Sequence, residues 1–170
     1  MTACFDALEA HRRAVTALLD GLDPAVVHAR PGPDAWSLAQ LADHLVCVDR
    51  GLAPGARATV FETARSRVGR LVLGCVLALP LRIPAPPSAH GVMPRAAPRW
   101  PDVREAWATL RDTWRTQIGD ADPGTLAYRH PLAGPLRFDD ALAFLLAHAR
   151  HHDAQVKRTL RALGAREVDA

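Results

Sequence analysis

Eight histidines occur in the 170 residues, and three of them stand together in Leu145-Leu-Ala-His148-Ala-Arg-His151-His152-Asp-Ala-Gln155. Imidazole is the commonest metal ligand among side chains, because its neutral form offers a nitrogen lone pair near neutral pH. His148 and His152 are four apart, so on a helix they stack on one face and send their nitrogens toward one point, which suits a divalent ion. Leu142, Leu145, Leu146, Ala149, Val156, Leu160 and Leu163 set the apolar stripe of that helix. At about 100° per residue His152 lies about 55° from the stripe centre, His148 about 95° and His151 about 155°, which turns His151 to solvent. The alternative is a pair of polar residues at the edge of a buried face, each satisfied by hydrogen bonds. A third candidate ligand, His44, lies about 75° from the centre of another stripe, made by Leu38, Leu41, Leu45, Val48 and Leu52. Three neutral imidazoles at roughly 2.0–2.1 Å from zinc leave one or more positions open, and an open position implies catalysis or substrate binding.

The elements that must position these residues follow from periodicity and punctuation. Phe5, Leu8, Val15, Leu18, Leu19 and Leu22 predict a first helix over about 3–20, with Gly21 placed as a C-terminal cap. Asp23-Pro24 and Arg30-Pro-Gly-Pro-Asp34 predict a connecting loop. The second helix opens on a capping box, Ser37-Leu-Ala-Gln40, flanked by a Trp36/Leu41 hydrophobic staple. Pro54 and Gly55 bend or interrupt it, after which Ala56 to Leu79 resumes a helical pattern. Six breakers between Pro80 and Pro101 (Pro84, Pro86, Pro87, Gly91, Pro94 and Pro98) predict a long ordered loop. A third helix runs from Pro101 to Gly119 with Val103, Trp107, Leu110, Trp114 and Ile118 on one stripe, a turn-rich stretch covers Asp120 to Leu136, and a last helix spans about 138–163. No run alternates with period two long enough to predict a strand. The expected class is all-α, an antiparallel four-helix bundle with a long Pro-rich loop between the second and third bundle helices, in a single domain over 1–170.

Composition narrows the function classes. At 49% hydrophobic and 23% charged residues the chain is of soluble globular type, which excludes a disordered tail and a collagen-like fibre. Its longest apolar run, Leu71 to Leu81, is 11 residues long and falls short of the roughly 20 that span a bilayer. That run is apolar almost all round, more than one bundle face requires, which favours a homodimer. The N-terminus lacks a basic region followed by an apolar stretch, and Cys4, Cys47 and Cys75 show no C-x-x-C spacing, so free thiols in the cytoplasm are expected. Residues 51–99 hold seven Arg against the single acid Glu62, a local charge of +6 within a net +3. This belt is either a solvated basic surface or the seat of an anionic partner. The aromatic residues fall on core stripes instead of interleaving with Arg, and no nucleic-acid-binding motif occurs, which argues against a nucleic-acid partner.

Trp36-Ser37-Leu-Ala-Gln-Leu-Ala-Asp-His44-Leu45 resembles the W-S-x6-H-L helix start of the DinB/YfiT-like superfamily of metal-binding four-helix bundles, and His148-x3-His152-x2-Gln155 resembles its closing motif. His130-Pro-Leu-Ala-Gly-Pro-Leu136 and Leu81-Arg-Ile-Pro-Ala-Pro-Pro87 are similar to members of one subgroup, so the resemblance runs through nearly the whole chain in order. It implies a metal triad at His44, His148 and His152, the same three residues that the helical wheels single out, holding zinc or alternatively nickel. Characterised members include transferases and isomerases that use a low-molecular-weight thiol such as bacillithiol or mycothiol. By that resemblance the chain is a metal-dependent thiol S-transferase acting on a small electrophile. Arg82, Arg95 and Arg99 then become candidates for the carboxylates of the thiol, and Gln155 either supports His152 or is simply exposed. At Arg137 many relatives carry Ser or Thr, so the last helix lacks that side-chain cap. The competing reading is a non-catalytic dimeric bundle that binds a partner protein or an anionic ligand.

Overall fold

The computed structural model describes residues 2–51, 92–120, 126–130 and 134–165. Four long helices form the bundle: α1 (Thr2–Asp20), α3 (Leu38–Gly51), α4 (Trp100–Asp120) and α5 (Phe138–Ala162). A five-residue helix, α2 (Pro24–His28), stands in the loop expected from its breakers. The residues that break α1 also start α2, since the Asp23 carboxylate accepts from the Ala25 amide and Pro24 takes a first-turn position.

The capping box forms as expected. Ser37 Oγ accepts from the Gln40 amide at 3.2 Å, and Gln40 Oε1 accepts from the Ser37 amide at 3.0 Å. Arg137 gives α5 no side-chain cap, and Asp139 and Asp140 in its first turn compensate through the helix dipole. At the far end of α5 the Gly164 amide bonds Arg161 O and the Ala165 amide bonds Leu160 O, a closing turn that needs the left-handed backbone of Gly164 (φ 67°). Gly21 shows no such conformation, because its amide simply continues the α1 pattern to Ala17 O.

Helices α4 and α5 each pack against both α1 and α3, which leaves α1 and α3 on one diagonal of the bundle and α4 and α5 on the other. Leu8, Leu19, Leu38, Leu41, Leu142, Leu145, Leu160, Trp107 and Trp114 fill the centre. Direction follows from the contacts. Asp20 at the end of α1 meets Trp100 and Arg104 at the start of α4, so these two are antiparallel. Gln40 near the start of α3 meets Arg95 and Ala96 just ahead of α4, and Asp49 near its end meets Trp107 and Arg111. Helices α3 and α4 therefore run the same way, an arrangement known in such bundles. Residues 92–99, just ahead of α4, lie along α3, and every residue of α3 from Leu38 to Val46 is consequently inside.

One sequence expectation is corrected. The stretch between α4 and α5 contains a two-stranded antiparallel hairpin, β1 (Leu126–His130) and β2 (Gly134–Arg137). Its strands are short, the register slips between Leu126 and Tyr128, and Pro135 sits in β2, a residue tolerated only because a two-stranded sheet is all edge. Both strands lie against α5, a contact that their own sequence pattern does not advertise. The all-α four-helix-bundle class stands, with this small hairpin added between α4 and α5. The helical pattern at Ala56 to Leu79, the apolar run Leu71 to Leu81, and Cys75 lie outside the described residues. Among those described, no helix is long and apolar enough to cross a membrane.

A charged cluster is buried between the helices. Arg111 Nη2 donates to Asp49 Oδ2 at 2.6 Å, Trp107 Nε1 donates to the same oxygen at 2.8 Å, and Arg111 also pairs with Glu9 at 3.5 Å. All three charged side chains are nearly inaccessible. Burial pushes the Asp49 carboxyl up to about 6, against the pull of Arg111 and Trp107. Removing one partner of a buried pair leaves the other charge uncompensated, at a cost of about 3–5 kcal/mol. Asp49→Ala should therefore lower the unfolding free energy by about that amount, measured by urea denaturation; a loss below about 1 kcal/mol, the scale of an exposed pair, would show that this cluster does not lock the bundle.

Candidate metal centre

The three candidate ligands come from two helices. α3 carries His44 one turn after Gln40, and α5 carries His148 and His152 one turn apart. The packing of α3 against α5 brings one ligand nitrogen from each of the three within 4.8 Å of the others. The ring centroids lie 5.2 Å apart for His44 and His148, 4.9 Å for His44 and His152, and 4.6 Å for His148 and His152. Trp36, 5.0 Å from His44, and Phe144, stacked on His148 at 5.8 Å, form apolar walls beside the triad.

Hydrogen bonds fix which nitrogen each ring can offer. His44 Nδ1 is 2.6 Å from the Val92 carbonyl oxygen, which can only accept, so the proton sits on Nδ1 and Nε2 carries the lone pair. His152 Nδ1 donates to Gln155 Oε1 at 2.9 Å, which frees its Nε2 in the same way. His148 Nε2 faces His152 Nε2 at 3.2 Å. Two lone pairs repel at that distance, so either a proton on His148 or a cation must lie between them. Two nitrogens bound at about 2.05 Å to one tetrahedral ion stand about 3.3 Å apart, so the His148–His152 spacing matches that of a divalent site, with a nitrogen of His44 within 4.8 Å of both.

The electrostatics favour the ligating form. Burial holds the pKa of His44 below the usual imidazole range, only partly offset by the Val92 carbonyl and Asp43. His152 is lowered to about 4, first by burial and then by its proximity to His44. Neutral imidazole is the species that binds metal.

The remaining sequence candidates divide. Gln155 supports His152 directly. Arg95 is engaged with Asp43 at 2.7 Å. Arg99 is largely exposed, 3.8 Å from Asp102, and lines a shallow groove with His28, Arg30, Ser37 and Gln40. Arg82 lies outside the described residues. His151, expected in solvent, is half-buried with its ring edge-on to His152 at 5.5 Å. Cys47 is half-buried and burial pushes its thiol up, as for Cys4, which makes both poor nucleophiles at neutral pH. Sequence reasoning missed Val92 and Asp43. The first acts through its backbone, which no residue type announces.

A profile of the DinB superfamily matches residues 7–156, a span that includes all three histidines. The chain belongs to the DinB superfamily. Metal-binding proteins are among the members of that superfamily. The chain is also similar to a solved structure described as "Crystal structure of TT2238, a four-helix bundle protein", with a TM-score of 0.55 and 22% identity over 92% of this chain and 98% of that one. At that identity the likeness speaks for the bundle alone. No curated protein matches this DinB chain.

The depressed His152 pKa has a consequence for stability. Between the ordinary value of 6.5 and about 4 the unfolded chain binds a proton that the folded chain refuses. The contribution of His152 is therefore fully present above pH 6.5 and is lost as pH falls through that window. In metal-free protein, the stability difference between the parent and His152→Gln should shrink or reverse on acidification from pH 7 to pH 4. Urea midpoints across that range measure it, and a difference that stays constant with pH would contradict the assignment.

Proposed function

We propose that the chain is a divalent-metal-dependent enzyme that transfers a low-molecular-weight thiol, of bacillithiol or mycothiol type, onto a small electrophile. The convergence of three ligand nitrogens within 4.8 Å carries this reading, together with the tautomers that turn Nε2 of His44 and His152 toward a common point. Three protein ligands on a divalent ion leave a position open, which separates catalytic sites from closed structural ones. A divalent ion held there supplies the charge that lowers the pKa of a thiol at the open position toward neutrality. The residues of the chain do the rest. His44, His148 and His152 hold the ion, Val92 O and Gln155 aim two of the rings, and Trp36 and Phe144 limit water around them. Overall, the S–H bond of the thiol is exchanged for an S–C bond, and the proton leaves with the displaced group or is taken up by the electrophile in an addition.

Zinc is the first choice for an all-imidazole site, and nickel the second. Arg99 is exposed and lines a groove with Ser37 and Gln40, and it is the arginine assigned here to an anionic group of the thiol. We further propose a cytoplasmic homodimer.

Elemental analysis of tag-free protein tests this reading. The parent should carry about one divalent metal per chain, and His44→Ala and His148→Ala should each lose it. Thiol consumption in the presence of model electrophiles should require the metal. A parent chain that takes up neither zinc nor nickel when these are added would overturn the proposal in favour of the partner-binding module.

A further inference from the structure

Residues 92–96 run back along α3 and are gripped by three side chains of that helix, Gln40, Asp43 and His44. These positions share one face, the i, i+3 and i+4 relation of neighbours on a helix surface. Asp43 is the strongest grip. Its Oδ2 accepts from the Arg95 amide at 2.8 Å, and both oxygens accept from the Arg95 guanidinium, the shortest contact being 2.7 Å. Gln40, already half of the capping box, uses its amide NH2 to hold Arg95 O at 3.3 Å and Ala96 O at 2.9 Å. The Asp43 side chain is 3% exposed although it bears a charge, a placement that depends on these partners. At the other end of the strap Val92 packs beside Gly51, where a Cβ would stand 3.8 Å from its side chain.

Between these two anchors lies the Val92 carbonyl that takes the His44 proton. Charge-assisted, bidentate bonds are about twice as strong as neutral ones, so the Asp43–Arg95 clamp sets the strap more firmly than the His44 bond itself can.

We propose that Asp43 is a positioning residue for His44: by clamping Arg95 it holds the Val92 carbonyl where it fixes the tautomer and ring angle of His44. The consequence for metal affinity rests on the metal-centre reading above, whereas the consequence for the tautomer does not. Groups that orient a ligating histidine typically change metal affinity by about 10- to 100-fold when removed. Beside its direct effect on His44 by charge, Asp43 positions the ring at one remove, through the backbone of the strap.

The test uses Asp43→Asn and Arg95→Ala, with Gly164→Ala as a control that strains the backbone at the far end of α5. Two readouts are taken on the full chain: long-range 15N NMR of the His44 ring in metal-free protein, and zinc affinity by chelator competition. The parent should show the proton on Nδ1 alone. Asp43→Asn should show a mixture of the two tautomers and weaken zinc by about 10-fold or more. Arg95→Ala should move both readouts in the same direction but less, because its backbone amide still reaches Asp43. Gly164→Ala should lower stability without moving either one. A His44 ring in Asp43→Asn that keeps its parental tautomer together with parental zinc affinity would overturn the proposal, and if His44→Ala still abolished binding, the metal reading would survive it. A tautomer that shifts in a chain that binds no zinc would sustain the positioning role and remove the metal reading instead.

Discussion

A neutral imidazole carries one N–H and one lone pair, and three such rings can share a point only if each has its proton committed elsewhere or shared. That constraint organises the interior of this bundle. His44 and His152 meet it with acceptors supplied from outside the triad, a backbone carbonyl and a side-chain amide. The two helices must also keep one register, since a helix rises about 1.5 Å per residue and a slip of a single position would rotate a ligand by about 100°. Helix α3 presents one candidate ligand and α5 two, so the geometry of the site is the geometry of the α3/α5 contact.

What fixes that contact is partly apolar and partly ionic. Leu41, Leu45, Leu142 and Leu145 fill the space between helices, but apolar packing tolerates repacking more readily than polar networks do. The Glu9–Arg111–Asp49 cluster, with Trp107 on the shared oxygen, is less forgiving because every shift strands a charge. It joins α1, α3 and α4 five residues along α3 from His44, so the same helix is pinned by charge near its end and bears a candidate ligand at its middle. Ionic specification of this kind contributes little to net stability while restricting the alternatives a bundle can adopt.

Much of this was legible in the sequence. The boundaries of α1, α4 and α5 and the start of α3 fall within a residue or two of those expected, because caps and 3.6-residue periodicity are local signals. The candidates His44, His148 and His152 were legible for the same reason, since wheel angles put each on the flank of an apolar stripe, and the packing of α3 on α5 brings those flanks together. Asp43 was not. It lies nearly opposite the apolar stripe of α3, where a wheel puts solvent, and it is buried only because the strap of residues 92–96 covers that side. The hairpin of β1 and β2 escaped because strands of five and four residues, one containing Pro135, form through contact with α5 and not through their own pattern. In each case the hidden information was non-local.

The division of ligands between α3 and α5 also sets an order of events during synthesis. His44 leaves the ribosome with more than a hundred residues still to be made before His152, and until α5 docks it has no partner ligands. A chain that has not yet made α5 cannot assemble the triad, so an ion would be captured only once α5 has docked on α3. Binding then discriminates between folded and unfolded chains, and each tenfold excess of free ion over its dissociation constant adds about 1.4 kcal/mol to the folded side. In a cell where free metal is scarce, the lifetime of the protein would report the supply of the ion.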